Sequence, residues 1–122
     1  MLQISRSIIE NPKDETQVMF IHSDKSLEEF VFRSEVDDMA DYWNFKRHYI
    51  ITKPREQEHL QLMKRSYFTF GERINFELLQ RICPSFVERS AAFVCGTKVF
   101  NEQISEYLLK LGYSKDSIKC FY

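Results

Sequence analysis

The chain has 122 residues, 43% hydrophobic and 29% charged, a balance that suits one globular domain with a single core. Its 17 basic and 18 acidic residues nearly cancel, which leaves no electrostatic basis for binding nucleic acid or a membrane surface. No stretch approaches the ~20 apolar residues of a membrane span, no charged-then-apolar signal peptide is predicted, and three widely spaced cysteines argue against a disulfide framework and for a reducing, cytoplasmic setting.

The first predicted element is a helix over residues 2–10, apolar at Ile4, Ile8 and Ile9 and closed by Asn11-Pro12. Residues 17–21 form a compact apolar run, Val18-Met19-Phe20-Ile21, expected of a buried strand. Ser26 and Glu29 have capping-box spacing, which predicts a helix to about Met39 with Leu27, Phe30 and Val31 on one face. Residues 45–51 read as the next strand, ended near Lys53-Pro54. A helix over 56–64 carries Leu60 and Met63, a pattern that serves a partner surface or, more commonly, a domain edge.

Residues 66–70 fit a strand or a loop, broken by Gly71. Asn75 can cap a short helix bearing Phe76 and Leu79, and Cys83-Pro84 stops it. A strand over 90–94 leads through Cys95-Gly96 toward a helix over 101–111. There Phe100, Ile104, Leu108 and Leu111 recur at near-helical spacing, and Gly112 supplies the stop. A last strand covers 117–121. The alternation predicts an α/β fold, a Rossmann-like parallel sheet of about four strands with helices on both faces.

The histidines at 22, 48 and 59 have no metal-ligand spacing with one another or with the cysteines. The three glycines, at 71, 96 and 112, form no phosphate loop. Cys95-Gly96 is the most informative pair, because open α/β sheets bind ligands at the carboxyl ends of their strands. A free cysteine is also an ordinary small core hydrophobe, and an ordinary turn explains Gly96 almost as well as a ligand does.

Several segments, in order, resemble the C-terminal NAD(P)-binding domain of the cytochrome b5 reductase/ferredoxin-NADP reductase family. The opening Met1-Leu2-Gln3-Ile4 resembles the helix that in the family follows a first strand and a glycine loop, so those two parts are expected to be absent here. Val18-Met19-Phe20-Ile21 and the turn His22-Ser23-Asp24-Lys25-Ser26 are similar to the second strand and its exit. Phe30-Val31-Phe32-Arg33-Ser34-Glu35-Val36 is similar to the following helix, and Tyr49-Ile50-Ile51-Thr52-Lys53-Pro54 to the third strand. Gly71-Glu72-Arg73-Ile74, Phe93-Val94-Cys95-Gly96 and the ending Cys120-Phe121-Tyr122 complete the match. Thr97-Lys98 stand where the family continues with proline, and residues 54–71 run longer than usual.

The resemblance implies NAD(P)H as cofactor, with FAD present only in a larger parent protein and a haem protein or similar electron acceptor as partner. It places Asp24, Lys25, Thr52 and Lys53 near the adenosine ribose. There an acid would favour a 2′-hydroxyl and a cation a 2′-phosphate, so the mixed signs leave NAD against NADP open. It sets Cys95, Gly96, Thr97, Phe121 and Tyr122 beside the nicotinamide, with no catalytic side chain, since hydride transfer needs no covalent protein group. No Arg-x-Tyr-Ser/Thr flavin motif occurs, so negligible activity alone is expected. The competing expectation is a non-catalytic interaction module derived from such a reductase, with homodimerisation one way to cover an incomplete sheet.

Overall fold

The computed structural model describes residues 1–121, apart from the side chain of Glu58. In chain order the elements are α1 (Leu2–Ile9), β1 (Val18–Asp24), α2 (Arg33–Met39), β2 (Phe45–Ile51), α3 (Glu56–Leu62), β3 (Phe68–Phe70), α4 (Phe76–Ile82), β4 (Ala92–Cys95), α5 (Lys98–Lys110) and β5 (Ile118–Phe121). They divide into two compact units, one of residues 2–74 and the other running from Asn75 onward together with Met1. The fold is α/β, with every strand pair parallel. Among the described residues five strands lie in two sheets, ordered β1-β2-β3 and β4-β5, where the sequence predicts about four in one. The extra strand is the ambiguous segment: Phe68–Phe70 adds to β2 through Tyr49↔Phe68, Ile50↔Thr69 and Ile51↔Phe70.

In the first unit β2 is the core strand. Tyr49, Ile50 and Ile51 have no exposed surface, as a strand flanked on both sides requires. Ile9, Leu27, Phe30, Val36, Met39, Phe45 and Phe68 form one core cluster with Tyr49 and Ile51. A polar knot ties α2 to this strand. The Tyr49 hydroxyl donates to Asp37 Oδ1 at 2.5 Å, and Arg47 Nε lies 2.8 Å from the same oxygen. Arg33 Nε approaches Asp37 Oδ2 at 3.5 Å, while the Arg47 guanidinium sits 3.9 Å from the centre of the Tyr67 ring. Burial and the Asp37 carboxylate push the Tyr49 phenol far above its ordinary range, so it stays a hydrogen-bond donor at any working pH.

The expected single helix from Ser26 to Met39 is broken. Leu27–Glu29 form one 3-10 turn, Ser26 makes no side-chain cap, and Phe30 leaves helical geometry at φ −88°, ψ 86°. That bend keeps Leu27 and Phe30 buried and turns Val31 out to 79% exposure, against the expected shared face. Leu60 and Met63 on the α3 segment are likewise exposed.

In the second unit, α4 and α5 follow the capping chemistry of the sequence. Asn75 accepts from the Leu78 amide, and Thr97 Oγ1 from the Phe100 amide. The Thr97 cap starts α5 three residues before the predicted position. Gly112, at φ +100°, supplies the left-handed residue that ends it. Ile104, Leu108, Val94 and Tyr113 are buried here, with the Tyr113 hydroxyl donating to the Pro84 carbonyl at 2.7 Å.

Tyr49→Phe leaves the Asp37 carboxylate short of a donor beside a packed ring. The substitution should lower unfolding free energy by about 1–3 kcal/mol without changing the denaturant slope. Urea unfolding followed by circular dichroism measures it, and an unchanged midpoint would show that the knot is not a stability element.

Candidate functional site

Two clusters of the predicted residues form at strand carboxyl ends, one in each unit. The first depends on β1 and β2 ending level. Parallel pairing from Val18↔Phe45 to Asp24↔Ile51 carries the strands out in step. The pairing then continues past both: the Thr52 amide donates to the Asp24 carbonyl at 3.0 Å and the Lys53 amide to the Lys25 carbonyl at 2.9 Å. Asp24, Lys25, Thr52 and Lys53 are thus neighbours, as the sequence suggests. Residues 22–24, expected in a turn, are instead the last residues of β1. The strand extends because its partner β2 offers hydrogen bonds through Ile51.

Asp24 is held from several directions. Its Oδ1 accepts from the Lys25 amide at 2.8 Å, and its Oδ2 lies 3.3 Å from His22 Nε2. Burial raises the Asp24 pKa, but hydrogen bonds from the Lys25 amide, Glu29 and His22 outweigh it and leave the carboxyl below its ordinary value. Glu29 shifts the opposite way, upward, because it shares a hydrogen bond with Asp24. The imidazole of His22 stacks on Phe30 at 3.7 Å between ring centres with 16° between planes. Burial lowers its pKa, while Asp24 works against that. The sequence gives His22 no role beyond its lack of a metal partner, and its spacing of two from Asp24 on a strand is the signal that it shares a face with that acid.

The second cluster lies at the ends of β4 and β5, where Cys95 pairs with Phe121. Cys95 is exposed rather than buried, so the ordinary core reading does not hold for it. Gly96 and Thr97 follow directly, and the Gly96 amide points to the Phe121 carbonyl at 3.4 Å. Gly96 has an internal explanation: a Cβ there would fall 2.5 Å from Cδ1 of Phe100. The Thr97 hydroxyl is committed to capping α5. Phe121 is 45% exposed, and its ring lies 6.0 Å from that of Phe93, on the same face of the sheet. Tyr122 lies outside the described residues.

Asn101, one turn into α5, is fully buried, and its Nδ2 donates to the Phe121 carbonyl at 2.9 Å. It ties the helix to the end of β5, a role that its polar side chain conceals in an otherwise apolar helical stripe. Nearby, a 390 Å³ groove is lined by Asn101, Glu102, Ser105, Glu106, Leu109 and Cys120, and neither Cys95 nor Gly96 belongs to it. Among the described residues no group of three or more His, Cys, Asp or Glu side chains could hold a metal ion, and no helix is long and apolar enough to cross a membrane.

No family model matches the chain. It is 30% identical over 115 residues to the uncharacterized oxidoreductase AIM33 of Saccharomyces cerevisiae, a match that covers 93% of the chain and 34% of the relative. It is 27% identical over 121 residues to the NADH-cytochrome b5 reductase-like protein of Mus musculus, covering 99% of the chain and 38% of the relative. In structure it resembles the cytochrome b5 reductase domain of Ulva prolifera nitrate reductase. The TM-score is 0.79 at 20% identity, over 98% of this chain and 42% of that one. The chain therefore spans between a third and two fifths of the length of these two sequence relatives.

The three thiols should react in an order set by exposure. Cys95 is open to solvent, whereas burial pushes the Cys83 thiol up to about 11 and keeps it protonated at neutral pH. Limited alkylation of the native protein followed by peptide mass spectrometry should label Cys95 first and Cys83 last. Early labelling of Cys83 would contradict the packing described.

Proposed function

We propose that this chain, a part-length relative within the cytochrome b5 reductase family, is the nicotinamide-dinucleotide-binding portion of an NAD(P)H-dependent flavin oxidoreductase. The observation that carries this reading is the level ending of β1 and β2, which gathers Asp24, Lys25, Thr52 and Lys53 at a strand-end position where α/β sheets take ligands. On this reading the Asp24 carboxylate and the neighbouring lysines face the adenosine ribose. Cys95, Gly96, Thr97 and Phe121 lie beside the nicotinamide ring. Cys95 acts there by position and not as a nucleophile.

Hydride would pass from the nicotinamide to an FAD carried by other parts of a larger protein, and electrons onward to a haem protein or similar acceptor. Within these 122 residues there is neither a flavin motif nor a glycine-rich phosphate loop, so the chain binds nucleotide without turning it over. The chemistry of Asp24 favours a free 2′-hydroxyl, while Lys25 and Lys53 favour a 2′-phosphate, so both cofactors belong in the test.

Isothermal titration with NADH and with NADPH should give saturable binding of at least one. The same protein, supplied with FAD and NADH, should reduce ferricyanide no faster than a protein-free control. Absence of nucleotide binding would remove the reading, and robust ferricyanide reduction would overturn its non-catalytic part.

A second reading, a non-catalytic interaction module that pairs with its own copy, draws on the exposed Phe93 and Phe121 that share one face of the β4–β5 sheet. Sedimentation velocity separates the two: self-association at micromolar concentration supports the module, and a folded monomer removes it.

A further inference from the structure

We infer that His22 is a specificity-determining positioning residue, which sets the charge that a bound adenosine ribose meets at the end of β1 by holding, and on protonation neutralising, the Asp24 carboxylate. The inference rests on the nucleotide-binding reading above and adds to it a residue, a charge mechanism and a direction.

His22 and Asp24 are two apart on one strand, so their side chains leave the same face. The imidazole is fixed twice. One face of the ring stacks on Phe30, itself buried and set edge-on against Tyr49 with ring centres 5.5 Å apart. Its Nε2 stands 3.3 Å from Asp24 Oδ2. The His22 and Asp24 side chains are 28% and 25% exposed, so a solvent proton reaches them without unfolding. The backbone of Lys25 orients the other carboxylate oxygen. The pair is therefore pre-set in geometry and free to change only in charge.

The surrounding charges keep that change local. Glu29 shares a hydrogen bond with Asp24, and Lys25 acts on Glu29 from the next turn. Glu28 is engaged by Arg55, with 2.6 Å between Arg55 Nη1 and Glu28 Oε1. Lys53, exposed, follows Thr52 across the β1–β2 exit. Burial holds the imidazole below the ordinary histidine value of 6.5, against the pull of Asp24, so protonation comes on acidification below that value.

With His22 neutral, Asp24 presents a full negative charge that accepts from a ribose 2′-hydroxyl and repels a 2′-phosphate. With His22 protonated, the pair is neutral overall and Asp24 has a lone pair committed to an N–H donor. Acidification therefore shifts preference toward the 2′-phosphorylated ligand.

The test compares ADP-ribose and 2′-phospho-ADP-ribose by isothermal titration, at about pH 8 and about pH 5.5, on the wild-type chain and on His22→Asn. Asparagine cannot carry charge, and the variant supplies the baseline for the ligand phosphate's own titration. The ratio of the two affinities should move toward the phosphorylated ligand by about threefold to tenfold more in the wild type than in His22→Asn. Equal movement in both proteins would overturn the inference. If His22→Asn does not fold, Asp24→Asn decides the same point: with the carboxylate gone the extra pH response should vanish, and its persistence would overturn the assignment. Glu29→Gln should retain the response, and its loss there would place the switch on Glu29 instead. Failure of both ligands to bind at either pH would sink the nucleotide-binding reading itself, an outcome distinct from equal pH responses.

Discussion

The in-step parallel pairing of β1 with β2 is the constraint on which the candidate adenosine site depends. Seven consecutive partners, from Val18↔Phe45 to Asp24↔Ile51, bring both strands to their ends at the same height. A slip by one residue would turn His22 and Asp24 together to the opposite face and take Asp24 away from the Thr52-Lys53 turn. The register is protected from the β2 side. Tyr49, Ile50 and Ile51 are fully buried, and the Tyr49–Asp37–Arg47 knot fixes which face of β2 meets α2. Stability and site geometry are therefore linked through one strand.

The second cluster rests on a different device. There the end of β5 is held by α5, through Asn101 to the Phe121 carbonyl, while Thr97 fixes where that helix begins. Gly96 lets the Phe100 ring sit close under the strand exit. Packing thus accounts for the glycine, and the exposed Cys95 and the Phe93–Phe121 face remain the features that core packing does not explain.

Much of this was legible in the residues, and the exceptions have physical causes. Phe45 at one end and Tyr49-Ile50-Ile51 at the other mark β2 at its true limits, although Lys46, Arg47 and His48 interrupt the apolar pattern. Asn75 and Gly112 marked helix ends through local chemistry that needs no tertiary context. The helix from Ser26 failed because burying Phe30 beneath His22 and against Tyr49 outweighs a capping box, a contact between residues far apart in the chain. The last three residues of β1 read as turn in the sequence because His22, Ser23 and Asp24 are polar, and only the neighbouring strand recruits them. Asn101 was invisible for the converse reason: a buried amide looks like surface until its carbonyl partner is known. Resemblance, not periodicity, marks the strand-end residues, and pairing explains why they meet.

The most direct measurement is a residue-resolved titration of the isotope-labelled chain with NADH, followed through its backbone amide resonances. The account predicts saturable shifts concentrated at residues 22–25 and 52–53, with a second group at 95–97 and 121. Shifts confined to the groove beside Glu102 and Glu106, or an unperturbed spectrum at saturating nucleotide, would contradict it.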